Sequence, residues 1–465
     1  MKQSPRWIGN SEGEIPVATS NRRVSFLKFL LRYTVFLLPF GHQVFRSNAG
    51  IDATKGIVDF WAFFQVGWIA LIAVRAILRL ASSHTIFMPQ QVRSILRYAF
   101  FLGLLFLASA AYSPSRLVSA AYSILYFLTW ICVVEFVVDT YKNPPDWMQC
   151  LLHLRLILFL LFLVVLITLF FNPIIVMAVI PSIGIRLTGG SVAPVTVICP
   201  MIAIISAYAF LYSLESKARS TFFFFIGLAG TLIARSRGSE LALLASLVLV
   251  GFIWARTGKR SSYLFLATSI ATVLLSGAVL AVVGGGRIWN LFNKGQSMEV
   301  IESASGRTDI WKFVIHYCMA HPQGMGYIAG FKVIFRQYFA LGLLVDVTHI
   351  GNAHNSFMDI LADAGWLALA IYLIMMVKIV SIGLRYARKR TFMTIASDSA
   401  SRHALRCALF LLFFCFAEGM DTADFSVPLR GSFYIQFIII SLILGISARM
   451  IAVSRARSIM QPDYL

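Results

Sequence analysis

The sequence predicts an all-α, polytopic integral membrane protein with about twelve transmembrane helices and one long periplasmic loop. Composition and patterning both support this class. The 465-residue chain is 59% hydrophobic, its mean hydropathy is +0.80, and only 13% of its residues are charged. Apolar runs of about 20 residues, the length that crosses a bilayer, recur along the whole chain. A soluble domain does not leave so much apolar surface in water.

The apolar runs follow a polar N-terminal tail, residues 1–24. This tail is not a cleavable signal peptide, because the first apolar run still contains Lys28 and Arg32. The predicted spans lie near 25–41, 58–77, 97–112, 117–138, 151–171, 195–214, 220–234, 239–255, 262–283, 358–380, 403–418 and 432–450. A further apolar stretch from Pro173 to Gly184 is too short to cross alone and predicts a re-entrant or interfacial piece.

The predicted spans divide the rest of the chain, after residue 24, into four segments. Transmembrane helices 1–9 occupy 25–283, a periplasmic loop subdomain occupies 284–357, helices 10–12 occupy 358–450, and a second tail occupies 451–465. Basic residues cluster in alternate connections; Arg155 is assigned to one of these, and the richest connection is 381–406. Because cytosolic loops carry this excess, both tails are predicted to be cytosolic.

The net charge of +20 does not indicate nucleic-acid binding. The basic residues stand in short clusters between apolar runs, and no soluble basic domain is present to dock a duplex. The six cysteines form no CxxC pair and no Cys/His metal spacing, so neither a disulfide framework nor a structural zinc site is predicted.

Several arginines fall on the predicted outer side, against the orientation bias. The informative ones are Arg186 in the 172–194 loop, Arg235 and Arg237 in a tight turn, and Arg307 in the long loop. One interpretation is snorkelling, in which each guanidinium reaches the lipid phosphates. The other is an anion site, because guanidinium groups bind phosphate oxygens bidentately and stay charged.

The long loop holds two candidate turns. Gly324 and Gly326 form a turn that lets the backbone approach a partner, and Ala353-His354-Asn355 leads into the next span. His354 is a candidate general base or phosphate ligand, because imidazole titrates near neutral pH. The alternatives are that His354 bonds backbone at a helix start and that Asn355 is the N-cap.

Acidic residues follow the same turns. Asp359 and Asp363 are spaced i, i+4 and share a helix face, but a hard cation needs more oxygen ligands than two. Glu418 lies before an outer loop that contains Asp421 and Asp424. Acceptor binding, pairing with the arginines and simple solvation are all open for Glu418.

Together these pieces form an ordered series. The series runs Arg186-Leu-Thr-Gly-Gly with Pro194, Ser236-Arg237-Gly238, Gly306-Arg307 with Trp311, His321-Pro322 with Gly324 and Gly326, Ala353-His354-Asn355 with Gly365, and Glu418. It resembles the O-antigen ligase and O-antigen/exopolysaccharide polymerase superfamily over roughly 180–425. The chain departs from the family pattern at Val195, where the family often has Asn. It departs again at Ser239-Glu240, which brings a carboxylate near the arginines.

The resemblance implies a glycosyltransferase of the bacterial inner (cytoplasmic) membrane. Such an enzyme moves a glycan from undecaprenyl diphosphate to a sugar hydroxyl, either on lipid A–core or on another carrier-linked glycan. The resemblance implies Arg186, Arg237 and Arg307 as the diphosphate clamp, with Arg235 second, and His354, Arg237 and Arg307 as the catalytic set. Glu418 and Asp359 are acceptor-side candidates, and no cofactor or metal is expected.

Two other functions are open from the sequence. A transporter or flippase for an anionic lipid-linked glycan would use the same arginines without chemistry. The chain shows no internal repeat and few ionisable residues deep in its spans, Glu135 being an exception, and both facts count against that function. A membrane scaffold with snorkelling arginines is the other alternative.

Overall fold

The computed structural model of the chain describes a defined set of residues, to which every structural statement below refers. They are 60–82, 88–142, 145–180, 184–189, 194–234, 236–255, 307–340, 353–388, 396–420 and 431–460. The predicted spans near 25–41 and 262–283 lie outside this set, as do Arg235 and the loop residues 284–306 and 341–352.

The described residues are helical or in turns, apart from one two-stranded hairpin. In chain order the elements are α1 (Phe60–Ala81), α2 (Gln90–Ser109), α3 (Arg116–Lys142), α4 (Trp147–Phe171), the short α5 (Pro173–Val176), β1 (Met177–Ile180), β2 (Gly184–Leu187), α6 (Val195–Leu211), α7 (Lys217–Ala234), α8 (Arg237–Ala255), α9 (Arg307–Ala320), α10 (Ala329–Ala340), α11 (Ser356–Arg388), α12 (Ala396–Gly419) and α13 (Gly431–Met460).

Seven of the described helices are long and apolar enough to cross a membrane. These spans are Gln90–Ser109, Arg116–Tyr141, Trp147–Phe171, Lys217–Ala234, Ser356–Ala387, Ala400–Gly419 and Phe433–Ser454. The multi-pass membrane class is therefore confirmed, and each of the seven overlaps a predicted span. Val195–Leu211 and Gly238–Phe252 are apolar but shorter helices. The total of about twelve spans stays a prediction.

Helix α13 lies at the centre of the bundle. In its most apolar window 83% of residues are buried, and it contacts α3, α11 and α12. A helix that is apolar on all faces needs neighbours on all sides, which explains why the run near 432–450 shows no polar stripe.

Short connections between successive helices bring alternate helix ends together at each end of the bundle. One end, called here the Glu418 end, holds the last turns of α2, α7 and α12 and the first turns of α3, α8 and α11. Tyr327 joins two of these helices, because its backbone N–H donates to Ser109 of α2 at 2.9 Å and its carbonyl accepts from Ser119 of α3 at 2.8 Å. The opposite end, the Glu215 end, holds the turn between α6 and α7.

Two sets of ion pairs stabilise helices away from the Glu418 end. Glu135 accepts from Arg75 at 3.1 Å and from Arg79 at 2.9 Å. Arg155, assigned to a cytosolic loop from the sequence, instead lies inside α4 with a 1% exposed side chain and binds Glu215 through both carboxylate oxygens. This assignment was wrong because a charged residue can enter a span when a partner neutralises it.

Helix α11 is interrupted at Gly365, where φ is +78° and ψ is −173°. The carbonyl groups released by this break are bonded by the Gly324–Gly326 turn: Met325 N–H donates to Ala362 at 2.6 Å, and Gly326 N–H donates to Asp363 at 2.9 Å. A Cβ on Gly324 would come within 2.7 Å of the Gly365 nitrogen. Gly324 therefore approaches α11, whereas a Cβ on Gly326 would meet Ser113 of the α2–α3 turn, and both partners belong to the same chain.

Candidate functional site

The Ser-Arg-Gly turn, taken here to include Ser239, forms the start of α8 and is bonded to α12 through Ser239. The Ser239 hydroxyl lies 2.7 Å from the Glu418 Oε1 and 3.0 Å from the Ser236 hydroxyl. Ser239 and Glu418 are both 0% exposed. The backbone of Arg237 therefore starts a helix whose N-terminal turn is held against a buried carboxylate. In the sequence Ser239 is only a departure from the family pattern, and no local signal indicates this contact.

The Ala-His-Asn turn is held by the start of α11. The Asn355 side chain caps that helix by accepting from the Phe357 N–H at 2.9 Å and the Met358 N–H at 3.1 Å, so the predicted N-cap is confirmed. Asp359 Oδ1 accepts from the Ala353 N–H at 2.6 Å, which closes the turn from its other side.

His354 takes a left-handed backbone conformation, with φ at +51°. For a residue with a side chain this conformation costs about 1–3 kcal/mol and is found where surrounding contacts impose it, often at active sites. The caps and bonds on either side of His354 supply those contacts.

The Ala-His-Asn turn also contacts the end of α12. The Asn355 Nδ2 donates to the Met420 carbonyl at 3.0 Å, two residues after Glu418. One short segment, 418–420, therefore contacts both the Ser-Arg-Gly turn and the Ala-His-Asn turn.

Arg307 is the first residue of α9, and the same turn fixes that helix. The Trp311 Nε1 donates to the Ala353 carbonyl at 2.9 Å, one helical turn after Arg307. Arg307 is half-buried and has interactions within the protein. Its position one turn from a residue that bonds the Ala-His-Asn turn brings Arg307 and His354 into the same region.

Arg186 lies on the hairpin β1–β2, where it pairs with Ala178 across the antiparallel register. The stretch from Pro173 to Gly184 forms α5 and β1, β2 contacts α7, and its re-entrant or interfacial position stays a prediction. Because α4 ends before the hairpin and α6 starts after it, Arg186 belongs to the Glu418 end.

The structure thus brings the backbones of Arg186, Arg237, Arg307 and His354 to one end of the bundle. Glu418 also lies there, while Arg235 lies outside the described residues, as do Asp421 and Asp424. Asp359 and Glu418 are both buried and bonded to protein groups.

Asp363 occupies a different environment from Asp359. Burial and then the Asp363 charge raise the pKa of Tyr112 to about 12, and the same two causes raise the pKa of Cys318 to about 12. Asp363 therefore lies near α9 and the α2–α3 turn, and its carbonyl accepts from the Gly326 N–H of the Gly324–Gly326 turn. Among the described residues, no three His, Cys, Asp or Glu side chains are grouped to hold a metal ion.

The fold and this site define a helical multi-pass membrane protein with a polar, arginine-bearing site at one end of its bundle. Residues 222–373 match the family model described as O-antigen ligase. The match confirms the resemblance, contains Arg237, Arg307 and His354, and does not favour a transporter. Arg186 and Glu418 lie outside the matched segment. No curated protein matches the chain.

Proposed function

We propose that this protein is an O-antigen ligase-like glycosyltransferase that moves a glycan from undecaprenyl diphosphate to a sugar hydroxyl. One observation carries the proposal: the segment 418–420 contacts both the Ser-Arg-Gly turn and the Ala-His-Asn turn, and Arg307 begins the helix bonded to the latter. The Ser-Arg-Gly turn, Arg307 and the Ala-His-Asn turn come from distant parts of the matched segment, residues 222–373. The proximity of their backbones supports a single site at which cationic groups and an imidazole act together.

In this proposal the arginines stabilise the leaving group. When the glycosidic bond breaks, negative charge develops on the diphosphate, and fixed cations aimed at that charge lower the barrier by several kcal/mol. Arg186, Arg237 and Arg307 form the clamp, and Arg235 extends it. A guanidinium suits this role because it presents two parallel donors to phosphate oxygens.

His354 activates the acceptor in this proposal. The acceptor hydroxyl must lose its proton as it attacks, and a neutral imidazole accepts a proton near pH 7. The strained backbone at His354 fits a residue whose position is imposed by its surroundings. Asp359 and Glu418 contribute on the acceptor side through the turns that they bond.

The proposed location is the periplasmic face of a bacterial inner membrane, with both termini in the cytosol. The support is the positive-inside pattern: the helix ends at the Glu215 end carry basic residues such as Lys217 and Arg219 of α7 and Arg385 of α11. A cysteine at Gln296 is expected to react with an impermeant thiol reagent in cells with a permeable outer membrane. A cysteine at Ser399 is expected to react only after the inner membrane is opened, and the reverse labelling overturns the orientation.

The activity is tested with purified protein in detergent, a polyprenyl diphosphate-linked glycan and a lipid A–core or glycan acceptor. The expected product is a larger acceptor together with free polyprenyl diphosphate. If the protein instead carries the intact lipid-linked glycan across a proteoliposome membrane without transfer, it is a transporter and the proposal is wrong.

A further inference from the structure

The end of α12 contacts two functional turns through different groups of its own. The Glu418 carboxylate bonds Ser239 at 2.7 Å, and the Met420 carbonyl bonds the Asn355 amide at 3.0 Å. Ser239 follows Arg237 by two residues, and Asn355 follows His354 directly. Because only one residue separates Glu418 from Met420, these two hydrogen bonds are held within a short distance of each other.

The hydrogen bonds at Glu418 have a definite direction. The Ser239 hydroxyl has one proton, and a carboxylate oxygen is a stronger acceptor than a hydroxyl oxygen. Ser239 therefore donates to Glu418 and accepts from the Ser236 hydroxyl at 3.0 Å. The resulting chain runs from Ser236 to Ser239 to Glu418 and spans the first turn of α8.

Burial makes this chain stiff. Ser239 and Glu418 are 0% exposed, and Ser236 is 9% exposed, so water does not easily replace these bonds. A buried polar group that loses its hydrogen-bond partner finds no water to replace it, which is costly. The first turn of α8 is therefore held at one position relative to α12.

We propose that Ser239 is a positioning residue that, through Glu418, fixes the Arg237 turn relative to the His354 turn. The inference rests on the proposed function, because only in glycan transfer must the cation on the leaving diphosphate and the base on the acceptor act at a set separation. Ser239 touches neither substrate in this account. Its loss lets Arg237 shift by a distance that catalysis does not tolerate.

The test compares Ser239→Ala with Ser246→Ala in full-length protein. Ser246 is a matched control, since it is also a 0% exposed serine of α8, but its hydroxyl bonds the Ala242 carbonyl of its own helix at 2.7 Å. We expect Ser239→Ala to lower kcat by at least about tenfold and leave the donor KM within about twofold, because positioning acts on the transition state. Ser246→Ala is expected to keep wild-type kcat. Equal kcat values for the two variants overturn the inference.

Two substitutions at Glu418 separate positioning from packing. Glu418→Gln keeps an acceptor oxygen for Ser239 and is expected to retain more kcat than Ser239→Ala does. In a Glu418→Leu background, Ser239→Ala is expected to cause little further loss, because the bond is already gone. Full additivity of these two losses contradicts a shared role.

Hydrogen exchange tests the inference independently of activity. We expect the segments 234–241 and 353–359 both to exchange faster in Ser239→Ala than in Ser246→Ala, because the two turns share α12. If the wild-type protein transfers no glycan, the proposed function fails, whatever the exchange shows. If transfer is normal and both segments exchange alike in the two variants, the positioning inference alone fails.

Discussion

The buried ion pair at the Glu215 end joins Arg155 and Glu215, and removing either residue is expected to lower the unfolding free energy by a different amount. The Arg155 side chain is 1% exposed and that of Glu215 is 8% exposed. Apart from Glu215, Arg155 contacts the Ser206 hydroxyl at 3.4 Å and the Phe223 ring, 4.3 Å from its centroid. Glu215 retains the Ser220 hydroxyl at 2.7 Å and Arg219 at 3.6 Å. Glu215→Leu therefore leaves the more poorly compensated charge.

The magnitude follows from this difference. Loss of one partner of a buried pair costs about 3–5 kcal/mol. We expect Arg155→Met to lower the unfolding free energy by about 3 kcal/mol and Glu215→Leu to lower it by about 5 kcal/mol, the two ends of that range. The double variant is expected to cost less than either single variant, because apolar side chains can replace a whole buried pair at little cost.

The assay is an SDS titration of purified protein in mixed micelles, which measures the unfolding free energy of each variant. Arg219→Met is the matched control, because Arg219 bonds the same carboxylate but its side chain is 56% exposed. Its expected cost is under about 1 kcal/mol. If the double variant is less stable than both single variants, Arg155 and Glu215 do not act as a unit and the reasoning is refuted.

The remaining predictions concern pH, backbone conformation and metal. Burial raises the pKa of the Glu215 carboxyl, but hydrogen bonds from Arg155 and Ser220 and the nearby guanidinium charges outweigh it and hold that pKa below its ordinary 4.5. The associated stability is thus present above about pH 4.5 and lost as pH falls through the lower folded value, and pH-dependent unfolding of wild type against Glu215→Gln measures it. Gly365→Ala is expected to destabilise the protein by at least about 2 kcal/mol in thermal unfolding, because φ is positive there and the new Cβ would overlap the Pro322 carbonyl. Gly67→Ala is the control: a Cβ there has no neighbour within 4 Å, so the substitution is expected to be neutral or slightly stabilising. EDTA is expected to leave transfer activity unchanged, because the proposal assigns leaving-group stabilisation to arginines, and loss restored by added Mg²⁺ would contradict that assignment.

The features that could be predicted from the sequence are those that a single segment determines. Seven of its apolar runs are confirmed as candidate spans, because bilayer thickness sets a length that is visible in any one segment. The N-cap at Asn355 was also predictable, because capping is local.

Contacts between distant segments were not predictable from local pattern. Ser239 and Glu418 are 179 residues apart, and nothing near either residue indicates the other. Arg155 was misplaced for the same reason, since its partner Glu215 lies 60 residues away. The break at Gly365 was hidden because the apolar pattern continues through it, and the turn that satisfies the released carbonyls lies at 324–326.

The proposed mechanism depends most on the convergence of Arg186, Arg237 and Arg307 on one diphosphate. The direct measurement is glycan transfer by purified Ala variants of each, with Arg116→Ala as the control, because Arg116 begins α3 at the same end of the bundle but has no assigned role. Each of the three variants is expected to lose at least about tenfold in transfer at near-normal protein levels, and Lys is expected to rescue poorly because a point charge does not reproduce the bidentate grip. Normal transfer by all three variants at normal levels would contradict the account and leave snorkelling as the explanation of these arginines.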